Sequence, residues 1–270
     1  MAYKEHVEFL PPQSLYTKIW RYMDLAKFLS LIETSSLYFC RLDQLSEFDP
    51  FEGYYTQSNL SIDKLKFDEM SDEWKERMNI KDENGFNKFL SGHKQVRNVV
   101  KYDRSVTFVN SWYIKEHESS AMWKIYSDNN YGIAIQSTYQ KLIDSFASYD
   151  DFDINIGRIK YIDYEKDVIP MGNLLSPFMY KRKIFEYEDE LRALIWTPQN
   201  GKNDMINPSK NRYANVFGLY VKVDLNILID TIFISPNAQL WIVDVIKGVI
   251  EKYGFKKEVK QSNLSSKPSY

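Results

Sequence analysis

The chain reads as an α+β protein with a mixed, largely antiparallel sheet, flanking helices and a helical insertion. Two features predict this. Strand-like runs outnumber helical ones in the second half of the chain, and they do not alternate with helices as a doubly wound fold requires. Residues 57–104, by contrast, are charge-rich and carry apolar residues at helical intervals. The expectation is a single domain over 1–270, with 57–104 as an insertion or lid.

Taken in order, residues 1–18 read as a leader that closes onto the domain, with Pro11-Pro12 as a stiff stop. A short strand follows at 19–22. Asp24 then caps a helix whose Leu25, Phe28, Leu29 and Ile32 recur at helical spacing. The run 37–41 returns as a strand, with Cys40 as a small buried hydrophobe. Residues 45–55 read as a loop, turned at Pro50 and Gly53. In the insertion, Leu65, Met70, Trp74, Met78, Phe86 and Phe89 mark two or three helices. The alternating run 105–113 is a strand ending in Asn110-Ser111-Trp112, followed by a short amphipathic helix over 118–126, a polar turn, and a strand over 131–138. A helix at 140–147 and an acidic loop lead into a strand at 154–164. A helical turn at 174–180 precedes 186–196, strand-like in its second half. Residues 198–212 form a polar, mobile loop. Strands at 216–223 and 231–235, a helix at 238–253, a last strand at 257–261 and a polar tail complete the chain.

Composition narrows the class. Hydrophobic residues make up 44% and charged residues 27%, which is globular and argues against disorder. A net charge of -2 supplies no general attraction to phosphate backbones, so general nucleic-acid binding is not expected. Cys40 is the only cysteine, which excludes an intrachain disulfide and fits a reducing, cytoplasmic location. The most apolar stretch, 229–250, is broken by Asp230, Pro236, Asp244 and Lys247, so no membrane partner is expected. His6, His93 and His117 show no metal-ligand spacing, and there is neither a phosphate-binding glycine loop nor a nucleophile elbow.

Aromatic residues reach 16%, with 20 Tyr and 6 Trp, and their densest polar company is the stretch 118–126. There Trp123 and Tyr126 share a helix face one turn beyond Glu118, Ser119 and Ser120. A carboxylate, hydroxyls and aromatic plates suit a pocket for a flat, polar small molecule. The competing reading makes the rings core and Glu118 a helix cap. Glu186, Glu188 and Glu190 form a second constellation; on a strand they share one face at about 7 Å spacing, with Arg182, Lys183 and Arg192 as neighbours to offset them. A solvated edge with alternating salt bridges explains them equally. Arg21 is placed to reach a phosphate or ribose hydroxyl, or else to pair with Asp24. Asp49 and Glu52, in the Asp-Pro-Phe-Glu-Gly turn, read more simply as turn residues than as metal or substrate ligands.

The ordered set Ile19-Trp20-Arg21-Tyr22, Leu37-Tyr38-Phe39, Phe48-Asp49-Pro50-Phe51-Glu52-Gly53, Asn110-Ser111-Trp112, Glu118 to Tyr126, Gly132-Ile133-Ala134-Ile135 and Tyr187 to Arg192 resembles an uncharacterised prokaryotic family, domain-of-unknown-function family 2971. More distantly, the layout resembles ADP-ribosyltransferases, although Tyr22 stands where that pattern has a small residue. That resemblance implies a split, mainly antiparallel sheet with NAD bound as substrate in its cleft. It implies Arg21 on the ribose or phosphates, Ser111 orienting the nicotinamide ribose, and Glu190, or else Glu188, stabilising an oxocarbenium-like transition state. Tyr22, Trp112, Glu118, Ser120, Trp123 and Tyr126 would line the nucleotide pocket. It further implies a toxin or phage-defence effector, with a macromolecular acceptor or a cognate regulatory protein as partner. Two alternatives stand beside it: a metal-dependent nuclease using Asp49, Glu52, Glu118 and Glu188, and a non-catalytic module that senses a nucleotide or binds a partner.

Overall fold

The computed structural model describes residues 2–126, 131–198, 211–266 and 268. In β1 (Lys18–Met23) the alternation of side chains sends Ile19 and Met23 into the main core and Trp20 and Tyr22 to the other side of the sheet. Asp24 ends the strand and caps α1 (Leu25–Thr34) by accepting from the Lys27 N–H, while Phe28, Leu31 and Ile32 bury one stripe. Ser35, left-handed at φ 46°, turns the chain into β2 (Ser36–Arg41). The stretch expected as a loop begins within a 3-10 segment, Leu42–Glu47. Gly53 closes the following turn at φ +74°, where an added Cβ would stand 3.0 Å from Leu42 Cδ2; a side chain there is doubly disfavoured.

The helical insertion forms as expected. It comprises α2 (Gln57–Ser61), α3 (Asp72–Arg77) and the long α4 (Glu83–Ser105), linked by short 3-10 turns. Met70, Ile80 and Phe86 give it a small core of its own. Then come β3 (Thr107–Ile114), α5 (Ser120–Tyr126), β4 (Ile133–Thr138) and α6 (Tyr139–Ser145). The strand expected over 154–164 is two strands, β5 (Asn155–Arg158) and β6 (Lys160–Ile162). Between them Ile159 spends its N–H on the Glu190 carbonyl, and the chain leaves the main sheet to pair in parallel with β7 (Tyr180–Arg182).

A second difference bears on the acidic constellation. Lys183–Glu188 is a 3-10 segment, Asp189 is left-handed at φ 33°, and β8 (Glu190–Trp196) begins only at Glu190. Glu186 is exposed, away from the other two carboxylates. A strand would have stacked three like charges on one face; the turn at Asp189 avoids it. The rest is β9 (Gly218–Lys222), α7 (Leu225–Leu228), β10 (Thr231–Ile234), α8 (Trp241–Lys252) and β11 (Glu258–Gln261), with Asn263–Ser265 a short 3-10 turn where a plain tail was expected. Most of the polar loop expected over 198–212 (199–210) lies outside the described residues, as do 127–130, Lys267, Ser269 and Tyr270.

The main sheet runs β11-β10-β4-β1-β3-β2-β9, with β8 on β3 and β5 on β8. Among the described strand pairs within it, β10 and β11 run parallel and the others antiparallel. One edge of β3 is covered by β8 from Thr107 to Tyr113. The opposite edge is shared by two strands: β2 pairs at Phe108 and Val109, β1 at Tyr113 and Ile114. Between these contacts the sheet forks, and among the described residues Asn110, Ser111 and Trp112 have no strand partner on that side.

The two faces differ in content. Phe108, Trp112 and Ile114 of β3, with Leu191, Ala193 and Ile195 of β8, lie in the main core with α1, α6 and α8. The reverse face carries two smaller apolar clusters. One is built on Val109, Leu194, Leu42 and Phe178, the other on Trp20, Tyr22, Tyr113 and Trp123. The leader straps across β5 as expected, through the Arg158 N–H to Leu10 C=O bond (2.9 Å) and a bridge between Tyr3 and Ile154. Gly157 admits it: a Cβ there would meet the Phe9 backbone at 2.5 Å. Among the described residues no helix is long and apolar enough to cross a membrane.

Candidate functional site: a buried charge network at the fork of the sheet

On the reverse face, between the two apolar clusters, the pleat presents Ser111 of β3 and, across the ladder, Arg192 and Glu190 of β8. Arg192 is 0% and Glu190 4% exposed. Burying such groups is costly unless every charge is met. Here they are met in detail. Arg192 Nε donates to Glu190 Oε1 at 2.7 Å, Nη2 to Glu52 Oε1 at 2.5 Å and Glu190 Oε2 at 3.1 Å, and Nη1 to the Phe178 carbonyl at 2.7 Å. Lys181 Nζ lies 2.5 Å from Glu188 Oε2, 3.2 Å from Glu190 Oε2 and 3.5 Å from Glu52 Oε2. Ser111 Oγ donates to Glu190 Oε1 at 2.6 Å, and the Tyr126 hydroxyl to Glu188 Oε1 at 2.8 Å. Tyr161 accepts the Glu190 N–H at 2.9 Å.

Each member arrives by a different route. Glu52 is driven inward by the turn that Gly53 closes, Lys181 comes from β7, and the left-handed Asp189 lets Glu188 and Glu190 both reach the Lys181 ammonium. Asp189 is itself tied to Lys115 at 2.7 Å and Arg158 at 3.2 Å. Three carboxylates thus surround two buried cations. Burial alone would raise the Glu190 carboxyl, but Arg192 and Lys181, with the bonds from Arg192 and Ser111, hold it well below the usual carboxylate range. Burial works against the Lys181 ammonium as well; the glutamates reverse it and raise its pKa. Burial beside Glu188 pushes the Tyr126 phenol up, so it stays a donor.

Arg21 sits in the fork itself. Its Nη1 donates to the Ser111 carbonyl at 2.6 Å, an acceptor that no strand covers on that edge. It does not pair with Asp24, which is occupied with Lys27 at 2.8 Å. Burial lowers the Arg21 guanidinium to about 10, partly offset by the nearby Cys40 and Glu190. Cys40, expected to be buried, is half-buried there.

The residues singled out from sequence divide accordingly. Arg21, Ser111, Glu190, Glu188 and Tyr126 fall in one connected set. Tyr22 and Trp123 stand in the adjoining apolar cluster, rings edge-on at 5.1 Å. Trp112 does not belong to the set: the pleat turns it to the opposite face, into the main core, where its Nε1 donates to Asn110 Oδ1 at 2.8 Å. Ser120 is exposed on α5. Glu118 is spent on structure, accepting from Trp123 Nε1 at 2.9 Å, from the Asn263 N–H at 2.7 Å and from Ser262 Oγ. Asp49 pairs with Arg182 at 2.8 Å. The four carboxylates of the nuclease alternative are therefore each already engaged, and among the described residues no group of three or more His, Cys, Asp or Glu is arranged to hold a metal ion.

Sequence reasoning missed Lys181 and Tyr161 and set Glu52 aside as a turn residue. Arg192 had a usable signal, since i and i+2 on a strand share a face with Glu190. Lys181 and Glu52 had none, because only the fold brings them there. No protein-family model matches the chain, and no characterised protein matches it either.

Proposed function

We propose that the chain cleaves the N-glycosidic bond of NAD inside the cell, passing ADP-ribose to a macromolecular acceptor or to water. The observation that carries this reading is the convergence of Arg21, Ser111 and Glu190 at the fork, linked through bonds of 2.6 Å and 2.6 Å. A core built for stability alone gains little from a buried ion network, since apolar side chains of similar volume serve as well. Such networks concentrate where charge is used.

Arg21, Ser111 and Tyr126 are the members of the network that keep some exposure, Arg21 from the fork and Tyr126 from α5, and a substrate would reach the network through them. Arg21 is a cation whose described hydrogen bond goes to a backbone carbonyl, which leaves its charge for a diphosphate. Behind it, Glu52, Glu188 and Glu190 outnumber Lys181 and Arg192, so the interior tends negative toward a developing sugar cation. As the C–N bond breaks, its electron pair leaves with the nicotinamide and neutralises the pyridinium. Water or an acceptor nucleophile then attacks the sugar carbon and releases a proton. Ser111 has a different part from the one the resemblance implies: its hydroxyl holds the Glu190 carboxylate in place. Tyr22 and Trp123 offer aromatic surface beside the network. An effector role as toxin or phage defence, with a regulatory partner, fits consumption of NAD.

The test is release of labelled nicotinamide from NAD by the purified chain. Release is expected from the wild type, and Arg21→Met and Ser111→Ala are each expected to lower it by roughly a hundredfold, the scale of one transition-state contact. A wild-type chain that leaves NAD intact would end the proposal.

A further inference from the structure

A cavity of about 710 Å³ lies where the helical insertion meets the rest of the chain. Phe51, Tyr54 and Tyr55 line it from the turn before α2, Tyr164 from the segment after β6, Arg97 from α4 and Arg182 from the end of β7. Its size is that of a small-molecule pocket, and Phe51, Tyr54, Tyr55 and Tyr164 give part of its wall ring surface. Each guanidinium is held on one side by a carboxylate: Arg97 by Asp63, Arg182 by Asp49 at 2.8 Å. In each, however, the Nε–H is buried without an acceptor among the described residues, and so is the Tyr55 hydroxyl. Asp49 Oδ2, beside Arg182, is likewise without a donor. Buried polar atoms are nearly always satisfied, and orphans on two cations lining one cavity are an unusual concentration. The Arg182 guanidinium also lies over the Phe51 ring at 4.7 Å, so ring and cation already form one stacked surface.

We propose that this cavity binds a flat aromatic group carrying an oxyanion, the chemistry of a nucleoside monophosphate, with the ring against Phe51 and Tyr164 and the anion on the two Nε–H groups. The site is separate from the fork. It is also coupled to it by chain continuity: Phe51 precedes Glu52 and Arg182 follows Lys181, so an occupant presses on the residues flanking two members of the charge network. A ligand held there would read out as a change at the fork.

Titration of the full chain with AMP and UMP, with adenosine and inorganic phosphate as single-feature controls, tests this by calorimetry and thermal shift. Both nucleotides are expected to bind, each control at least roughly tenfold more weakly than AMP, the worth of one charge-assisted bond or stacked ring. Arg97→Lys and Arg182→Lys keep the charge for the aspartates but lack the Nε–H, and each should weaken AMP roughly tenfold. Phe51→Leu, at a half-exposed ring, serves where either lysine variant is unstable and should weaken AMP without restoring parity with phosphate. Arg21→Met separates the two sites, and AMP binding at the cavity should survive it. The proposal is overturned if AMP does not bind, if adenosine or phosphate binds as well as AMP, if the cavity substitutions have no effect, or if Arg21→Met abolishes binding and so puts the nucleotide in the fork.

Discussion

Glu190→Gln is an isosteric change that reads, from the sequence, as silent for folding. The network makes it a strong perturbation. Glu190 accepts from Ser111 Oγ at 2.6 Å, from Arg192 at 2.7 and 3.1 Å, and from Lys181 at 3.2 Å. Glutamine has one acceptor oxygen, and its amide must turn an N–H toward a cation that is itself a donor. Removing one partner of a buried ion pair costs about 3–5 kcal/mol. Arg192 retains Glu52, and Lys181 retains Glu188 and Glu52, so the low end, about 3 kcal/mol, is expected at neutral pH. With a urea slope of about 3 kcal/mol/M for a chain of this size, the unfolding midpoint should fall by about 1 M. The dependence on pH carries the sign. The folded carboxyl lies below its unfolded value of about 4.3, so its contribution is complete above that pH and is lost as pH falls toward the folded value. The gap between wild type and variant should therefore begin to narrow below about pH 5 and go on narrowing as pH falls. Urea melts at pH 7, 5, 4 and 3 measure it. Equal midpoints at pH 7, or a gap that stays constant down to pH 3, would refute the reasoning.

Arg21→Met should cost no more than about 2 kcal/mol in the same urea melts, because it removes a half-buried charge that no described carboxylate pairs while leaving the Ser111 carbonyl without its donor. A large loss would show that Arg21 serves the fold and not the substrate. Gly53→Ala, at φ +74° and 3.0 Å from Leu42, should cost at least about 1–2 kcal/mol in the same assay, and more if it pulls Glu52 off Arg192. Asp24→Ala removes the α1 cap and should cost about 1 kcal/mol with no change in the proposed NAD turnover.

The parts of the fold that could be read in advance were those set by short-range pattern. The alternation at 105–113 and the helical spacing of Leu25, Phe28, Leu29 and Ile32 named β3 and α1 because burying one face is a local demand, although Leu29 stays exposed and Leu31 fills the buried stripe beside Phe28 and Ile32. The errors fell where a single backbone angle decided the outcome. Nothing in Glu186 to Glu190 announces that Asp189 turns left-handed, yet that angle leaves Glu186 exposed and brings Glu188 and Glu190 to one ammonium. Trp112 was misassigned for a related reason. Its neighbour Ser111 is in the site, and strand parity puts adjacent residues on opposite faces.

Residue order alone settled the class of the protein, its helical insertion and the cap on α1. It could name Arg21, Ser111 and Glu190 as a set without giving any reason for them to meet. Their meeting depends on β3 pairing with β1 at one end and β2 at the other, so that an uncovered carbonyl faces a guanidinium. The partners Glu52 and Lys181 depend still more on the tertiary structure. Periodicity records which side of a strand is dry, whereas the pairing of charges distant along the chain is decided by ladder register and by turns at Gly53 and Asp189, and these take shape only once the core has closed.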